Sequence, residues 1–212
     1  MQRPPQLALV APVWLIVILA AAACQPEELP PPEDLLFTEG ELPGHWKAQP
    51  EGPHVPTGQA PLGGGPGATD ASVVYFHHPA GDGSAGAHEE IFLFGSESDA
   101  HEEFNDLLPT AFNDAPDWRW AETAAASAAT PSASESAFRC TEGRTEVMCR
   151  LVVRYGRYLV DLKVDLDGTN SDLEPVRVIS VDDLMRLILL LDERMAFTLQ
   201  ENQGSRRCPT TR

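Results

Sequence analysis

Two short runs of β-branched and aromatic residues, 73–76 (Val73, Val74, Tyr75, Phe76) and 91–94 (Ile91, Phe92, Leu93, Phe94), flank a Gly-rich stretch at 79–86. Runs of this length and composition predict two strands joined by a wide hairpin loop. The period then changes. Ala100, Phe104, Leu107 and Leu108 recur at helical spacing behind Ser96 and Ser98, either of which can cap a helix over 98–108, and Pro109 should end or kink it. A second apolar stripe, Val181, Leu184, Leu187, Ile188, Leu191 and Met195, follows a Ser180/Asp183 capping signature and predicts a helix over 181–200 that covers the sheet.

The most strongly patterned stretch is 137–166. Gly156 and Arg157 between Tyr155 and Tyr158 suit a two-residue type II′ turn, with Gly at the first central position. Folding there opposes Val153 with Val160, Leu151 with Leu162 and Cys149 with Val164, so that apolar residues meet on one face. The preceding strand, turning near Gly143 and Arg144, puts Phe138 opposite Leu151 and Cys140 opposite Cys149. Directly opposed residues in antiparallel strands lie about 4.5 to 5.5 Å apart, within disulfide range. Trp118 and Trp120 share a strand face, and the Ala/Ser run at 124–137 reads as a low-complexity loop.

The amino-terminal pattern has a different meaning. Residues 7–23 carry no charge, follow Arg3, and end in Ala20 to Ala23 before Cys24. This order resembles a bacterial lipoprotein signal peptide of the signal peptidase II type, which implies removal of residues 1–23 and lipidation of the Cys24 thiol. The chain departs from that pattern in carrying Ala21 three positions before the cysteine, where Leu is commonest. The rival readings are ordinary cleavage after the Ala-rich run, or an uncleaved anchor at the short limit for a spanning helix. Residues 24–34 are rich in Pro and carboxylate and read as an extended tether with no core to join. The expected organisation is thus a signal peptide at 1–23, a tether at 24–34, one domain at 35–200 interrupted by long Gly/Pro and Ala/Ser loops, and a flexible tail at 201–212. Its expected class is α+β: an antiparallel sheet of five or six strands with two helices packed on one face. The order strand, strand, helix, strands, helix is similar at the level of topology to small extracytoplasmic PsbP/Mog1-like domains.

Charge narrows the partners. The formal net charge is -17, and all 32 acidic residues follow the leader. Nucleic-acid binding draws its affinity from Lys and Arg neutralising phosphates, so this surface excludes it as an expectation. Export to an oxidising compartment favours a Cys140–Cys149 disulfide over a pair of buried thiols, and leaves Cys208 unassigned.

Three constellations could carry chemistry. His77, His78, His88, Glu89, Glu90, His101, Glu102 and Glu103 offer metal-ligand types without a metal-ligand spacing, since His77 and His78 point to opposite faces of a strand. Arg139, Arg150 and Arg154 share the outer face of the hairpin strands with Asp161, as an anion-binding patch or as a solvated sheet face whose charges cancel. Trp46, Trp118 and Trp120 could line a ligand groove, or serve as core. No Gly-x-Ser-x-Gly elbow or phosphate loop is present. The expectation is an extracytoplasmic lipoprotein, anchored to a membrane through lipid on Cys24. Its domain, without cofactor or metal, binds an envelope protein or a small ligand and performs no catalysis. The alternative is a metal-dependent or other hydrolase built on the His/Glu-rich region 77–106.

Overall fold

The computed structural model describes residues 29–42, 46–48, 67–78, 85–112, 119–122, 129–142, 147–169 and 175–205. Cys24 and its leader, Trp118 and Cys208 lie outside the described residues. Two 3-10 turns, Pro32–Leu35 and Glu39–Glu41, open the domain. Strands β1 (Lys47–Ala48), β2 (Ala68–His77) and β3 (Gly86–Phe94) lead to helix α1 (Glu97–Ala111). Strands β4 (Arg119–Glu122), β5 (Glu135–Glu142), β6 (Met148–Tyr155) and β7 (Tyr158–Asp165) follow. A two-stranded ribbon of β8 (Asp167–Thr169) and β9 (Pro175–Arg177) then leads to helix α2 (Val181–Ser205).

The main sheet is antiparallel, in the order β1-β2-β3-β7-β6-β5-β4. The fold is α+β, with seven strands because the two-residue β1 adds an edge. The expected registers are those observed: Val153 faces Val160, Leu151 faces Leu162, Cys149 faces Val164, and Cys140 faces Cys149. Gly156 turns the β6–β7 hairpin at a φ of 58°, the left-handed region that a side chain resists.

The two helices lie on opposite faces of this sheet, and not on one face as expected. Phe92, Phe94, Val152 and Leu159 pack with Ala100, Phe104, Leu107 and Ala111 of α1. Strand alternation sends Leu151, Val153 and Tyr155 to the other side, where Asp192 of α2 accepts the Tyr155 hydroxyl proton at 3.1 Å. The reason is visible in the central strands. β6 and β7 are apolar at both parities (Val152 and Leu159 on one side; Leu151, Val153, Val160 and Leu162 on the other), so each face needs its own cover.

Local rules hold within the helices. Ser96 caps α1 by accepting from Asp99 N at 3.1 Å, and Ser180 caps α2 by accepting from Asp183 N at 3.1 Å. Pro109 sits inside the last turn of α1, which continues to Ala111. The α2 stripe from Leu184 to Met195 is buried, but Val181 at the first turn is exposed, and the helix continues past residue 200 to Ser205.

Parts of two segments read as structureless, 30–34 of the tether and 129–137 of the Ala/Ser run, join the fold. Residues 30–42 form a strap on the α2 side of the sheet, with Pro32, Leu35, Phe37 and Leu42 buried. Tyr158 donates its hydroxyl to Pro30 O at 2.7 Å, and Arg194 of α2 donates to Leu35 O at 2.8 Å. The tether expected through residue 34 therefore has a core to join from Pro30 onward. Likewise β5 begins at Glu135, within the Ala/Ser run, and Ala129 and Thr130 before it are buried.

Candidate functional site

Register alone assembles a file of ionisable side chains on the α1 face. Tyr75, His88, Lys163, Arg150 and Arg139 are successive cross-strand neighbours over β2, β3, β7, β6 and β5. The next row toward the helix is Val73, Glu90, Asp161, Val152 and Ala137. The carboxy-terminal end of α1 stops against this file. Arg150 donates to Ala111 O at 2.7 Å and holds Asp161 with two bonds, Nε to Oδ1 at 2.9 Å and Nη2 to Oδ2 at 2.6 Å. A cation at a helix carboxy terminus also meets the negative end of its dipole.

Burial sets the protonation states here. Glu90 is 3% exposed, and loss of water pushes its carboxyl up to about 7, with the Asp161 charge raising it and Arg150 opposing. Its Oε1 has no hydrogen-bond partner. Burial pulls the His88 imidazole down to about 4; Asp161 opposes this, and Lys163 and Arg150 add to it, so the ring is neutral at pH 7. Tyr75 is pushed up by burial and by Glu90, and its ring lies 5.8 Å from that of His88.

Beside the file, a groove of about 280 Å³ opens between α1 and β5. Leu108, Pro109 and Phe112 form one wall, Ala137 and Arg139 the other. The Arg139 guanidinium lies 4.8 Å from the centre of the Phe112 ring, which orients the cation along the apolar wall.

The three arginines expected to form one patch are thus separated in role. Arg150 is held by Asp161 and Ala111; Arg154 is held by Glu135 at 2.5 Å and by the Gly156 carbonyl at 2.9 Å; Arg139 alone lines the groove. All three are half-buried, and they do not converge on one shared patch. Cys140 and Cys149 are joined in a disulfide.

The His/Glu-rich region is scattered by the fold. His88 and Glu90 face α1, Glu89 faces the strap, and His101 lies on exposed helix surface with Nδ1 2.8 Å from Glu135 Oε2. His78 packs edge-on against buried Trp46, at 5.5 Å. Among the described residues no group of three or more His, Cys, Asp or Glu is placed to hold a metal ion. Trp120 lies on β4 and Trp118 outside the described residues, so the aromatic groove is not assembled from described side chains.

Sequence reasoning missed Glu89 and Glu90 as buried groups. Adjacent carboxylates in an acidic chain look like surface. The available signal was their place within a strand run that continues into Ile91 and Phe92, because an interior strand buries both parities.

No family model matches the chain, and no curated protein matches it. Among solved structures it is similar to the extracellular domain of PknH from Mycobacterium tuberculosis, with 12% identity and a TM-score of 0.46, over 80% of this chain and 98% of that one. Among the described residues no helix is long and apolar enough to cross a membrane.

Proposed function

We propose that the chain is an extracytoplasmic lipoprotein, anchored through Cys24, whose domain is a non-catalytic binding module for a small ligand with an apolar body and a carboxylate. The groove carries this reading: four apolar side chains, Leu108, Pro109, Phe112 and Ala137, with the guanidinium of Arg139 along one edge. Apolar walls with one oriented polar group are how small-ligand sites obtain affinity and direction together. The volume suits a ligand of roughly a dozen non-hydrogen atoms, at about 20 Å³ each. In a chain of net charge -17 an anion needs a local cation, and Arg139 supplies it. The export half of the reading is supported by the disulfide, because such bonds persist in oxidising compartments.

Titration of the full-length chain in lipid nanodiscs with 4-phenylbutyrate, and with 4-phenylbutanol as the uncharged control, tests the groove. Saturable binding of the acid alone, weakened about tenfold or more by Arg139→Gln and by the groove-filling Ala137→Leu, is expected. Equal heats for the two variants and the parent, or none at all, would overturn it. Globomycin should cause the uncleaved precursor to accumulate. A native product with an unmodified Cys24 removes the anchor and leaves the groove to be judged on its own.

A further inference from the structure

The strap at 30–42 is held by a group that the groove does not use. The Phe37 N–H donates to Glu89 Oε2 at 2.6 Å, across 52 residues of sequence. Glu89 is fully buried, and its Oε1 has no hydrogen-bond partner. Arg194 is the cation that faces it from α2, but that guanidinium is committed to Leu35 O and to Glu41, and stacks on the Phe37 ring at 5.0 Å. Glu41 faces it from the strap and carries negative charge of its own. The cross-strand neighbours of Glu89, Val74 on β2 and Leu162 on β7, are apolar.

We propose that residues 30–42 are a proton-operated latch, docked while the Glu89 carboxyl is protonated and released when it ionises. The protonated group accepts from Phe37 at one oxygen and carries no charge into the apolar interior. Loss of its proton to solvent leaves a buried carboxylate whose nearest cation is already shared. Hydrating that charge while the sheet stays intact requires the strap to lift, since Leu35 and Phe37 of the strap cover this face.

The direction in pH follows from linkage. Burial raises the docked carboxyl to about 8, against 4.5 for the exposed group, and outweighs the Phe37 N–H bond and Arg194, which both favour the ionised form. Docking is therefore strongest below about 4.5, weakens as pH rises toward 8, and changes no further above it. On the lipoprotein reading, on which this consequence alone rests, five residues, 25–29, separate the strap from the anchor, so its release lengthens the leash by up to about 45 Å at 3.3 to 3.6 Å per residue.

Hydrogen exchange of the full-length chain in detergent, corrected for intrinsic rates, reads the latch whether or not Cys24 is acylated. Between pH 5.5 and 8.5 the protection of peptides covering 33–42 should fall by at least about tenfold while that of β6 and β7 is unchanged. Glu89→Gln, which keeps an acceptor and cannot ionise, should leave the strap protected at both pH values. Phe37→Pro, which removes the donor, should leave it open at both. Constant strap protection in the parent, equal loss over β6 and β7, or persistent pH dependence in the Gln variant would each overturn the latch. Should the Gln variant not fold, the parent series and the Pro variant decide.

Discussion

Arg150 and Asp161, neighbours on adjacent strands, form a two-bonded pair that sits beneath the carboxy-terminal end of α1, with Asp161 2% exposed. The same guanidinium accommodates the helix carbonyl of Ala111, so one side chain closes the sheet, the acid and the helix end together.

Replacing Arg150 with Met should destabilise the domain by about 3 to 5 kcal/mol, because the buried Asp161 loses the cation that compensates it. The double variant Arg150→Met with Asp161→Asn should recover much of that loss. Urea denaturation of both single variants and the double variant checks this; additive losses would show that the pair is not coupled.

Cys140–Cys149 closes a short loop, with a sequence separation of 9. Chain-entropy reasoning assigns such a loop about 2.5 kcal/mol. Cys140→Ser with Cys149→Ser should lower stability by about this amount, and a reductant should lower the parent to the same level while leaving the double variant unaffected.

Glu90 makes stability depend on pH in a stated sense. Its folded value of about 7 exceeds the ordinary 4.5, so its contribution is fully present below 4.5 and is lost as pH rises to 7. At about 1.4 kcal/mol per pH unit the parent loses on the order of 2 to 3 kcal/mol over that window relative to Glu90→Gln. Parallel denaturation curves for the two proteins at pH 5 and pH 8 measure the difference.

Gly156 holds a left-handed φ of 58°, in a turn with room for a methyl group: an added Cβ meets nothing closer than Leu199 Cδ2 at 3.6 Å. Gly156→Ala should therefore cost about 1 to 2 kcal/mol through backbone strain alone. Thermal denaturation, with β6–β7 amide shifts retained, would separate strain from a lost register.

Much of this was legible along the chain because it is local. The recurrence of Leu151, Val153 and Tyr155 at every second position is a strand signal, and with Gly156 between Tyr155 and Tyr158 it sets the β6–β7 register and, one strand further, the Cys140–Cys149 pairing. The caps at Ser96 and Ser180 were legible for the same reason: donor and acceptor lie three residues apart.

The groove was only partly legible, as Arg139 among three similar arginines. Their separation depends on which partner each meets: Asp161 and Ala111 for Arg150, Glu135 for Arg154, the Phe112 ring for Arg139. Those partners come from α1 and from distant strands.

By itself the sequence determined the registers across β5, β6 and β7, the helix caps and the α+β class, since each follows from spacing within a few residues or from matching of adjacent strands. Only the tertiary structure decided that the helices take opposite faces, that residues 30–42 dock through Glu89, and that Glu89 and Glu90 are buried. Those outcomes depend on desolvation, and how much water a carboxylate keeps is set by what packs over it from far along the chain.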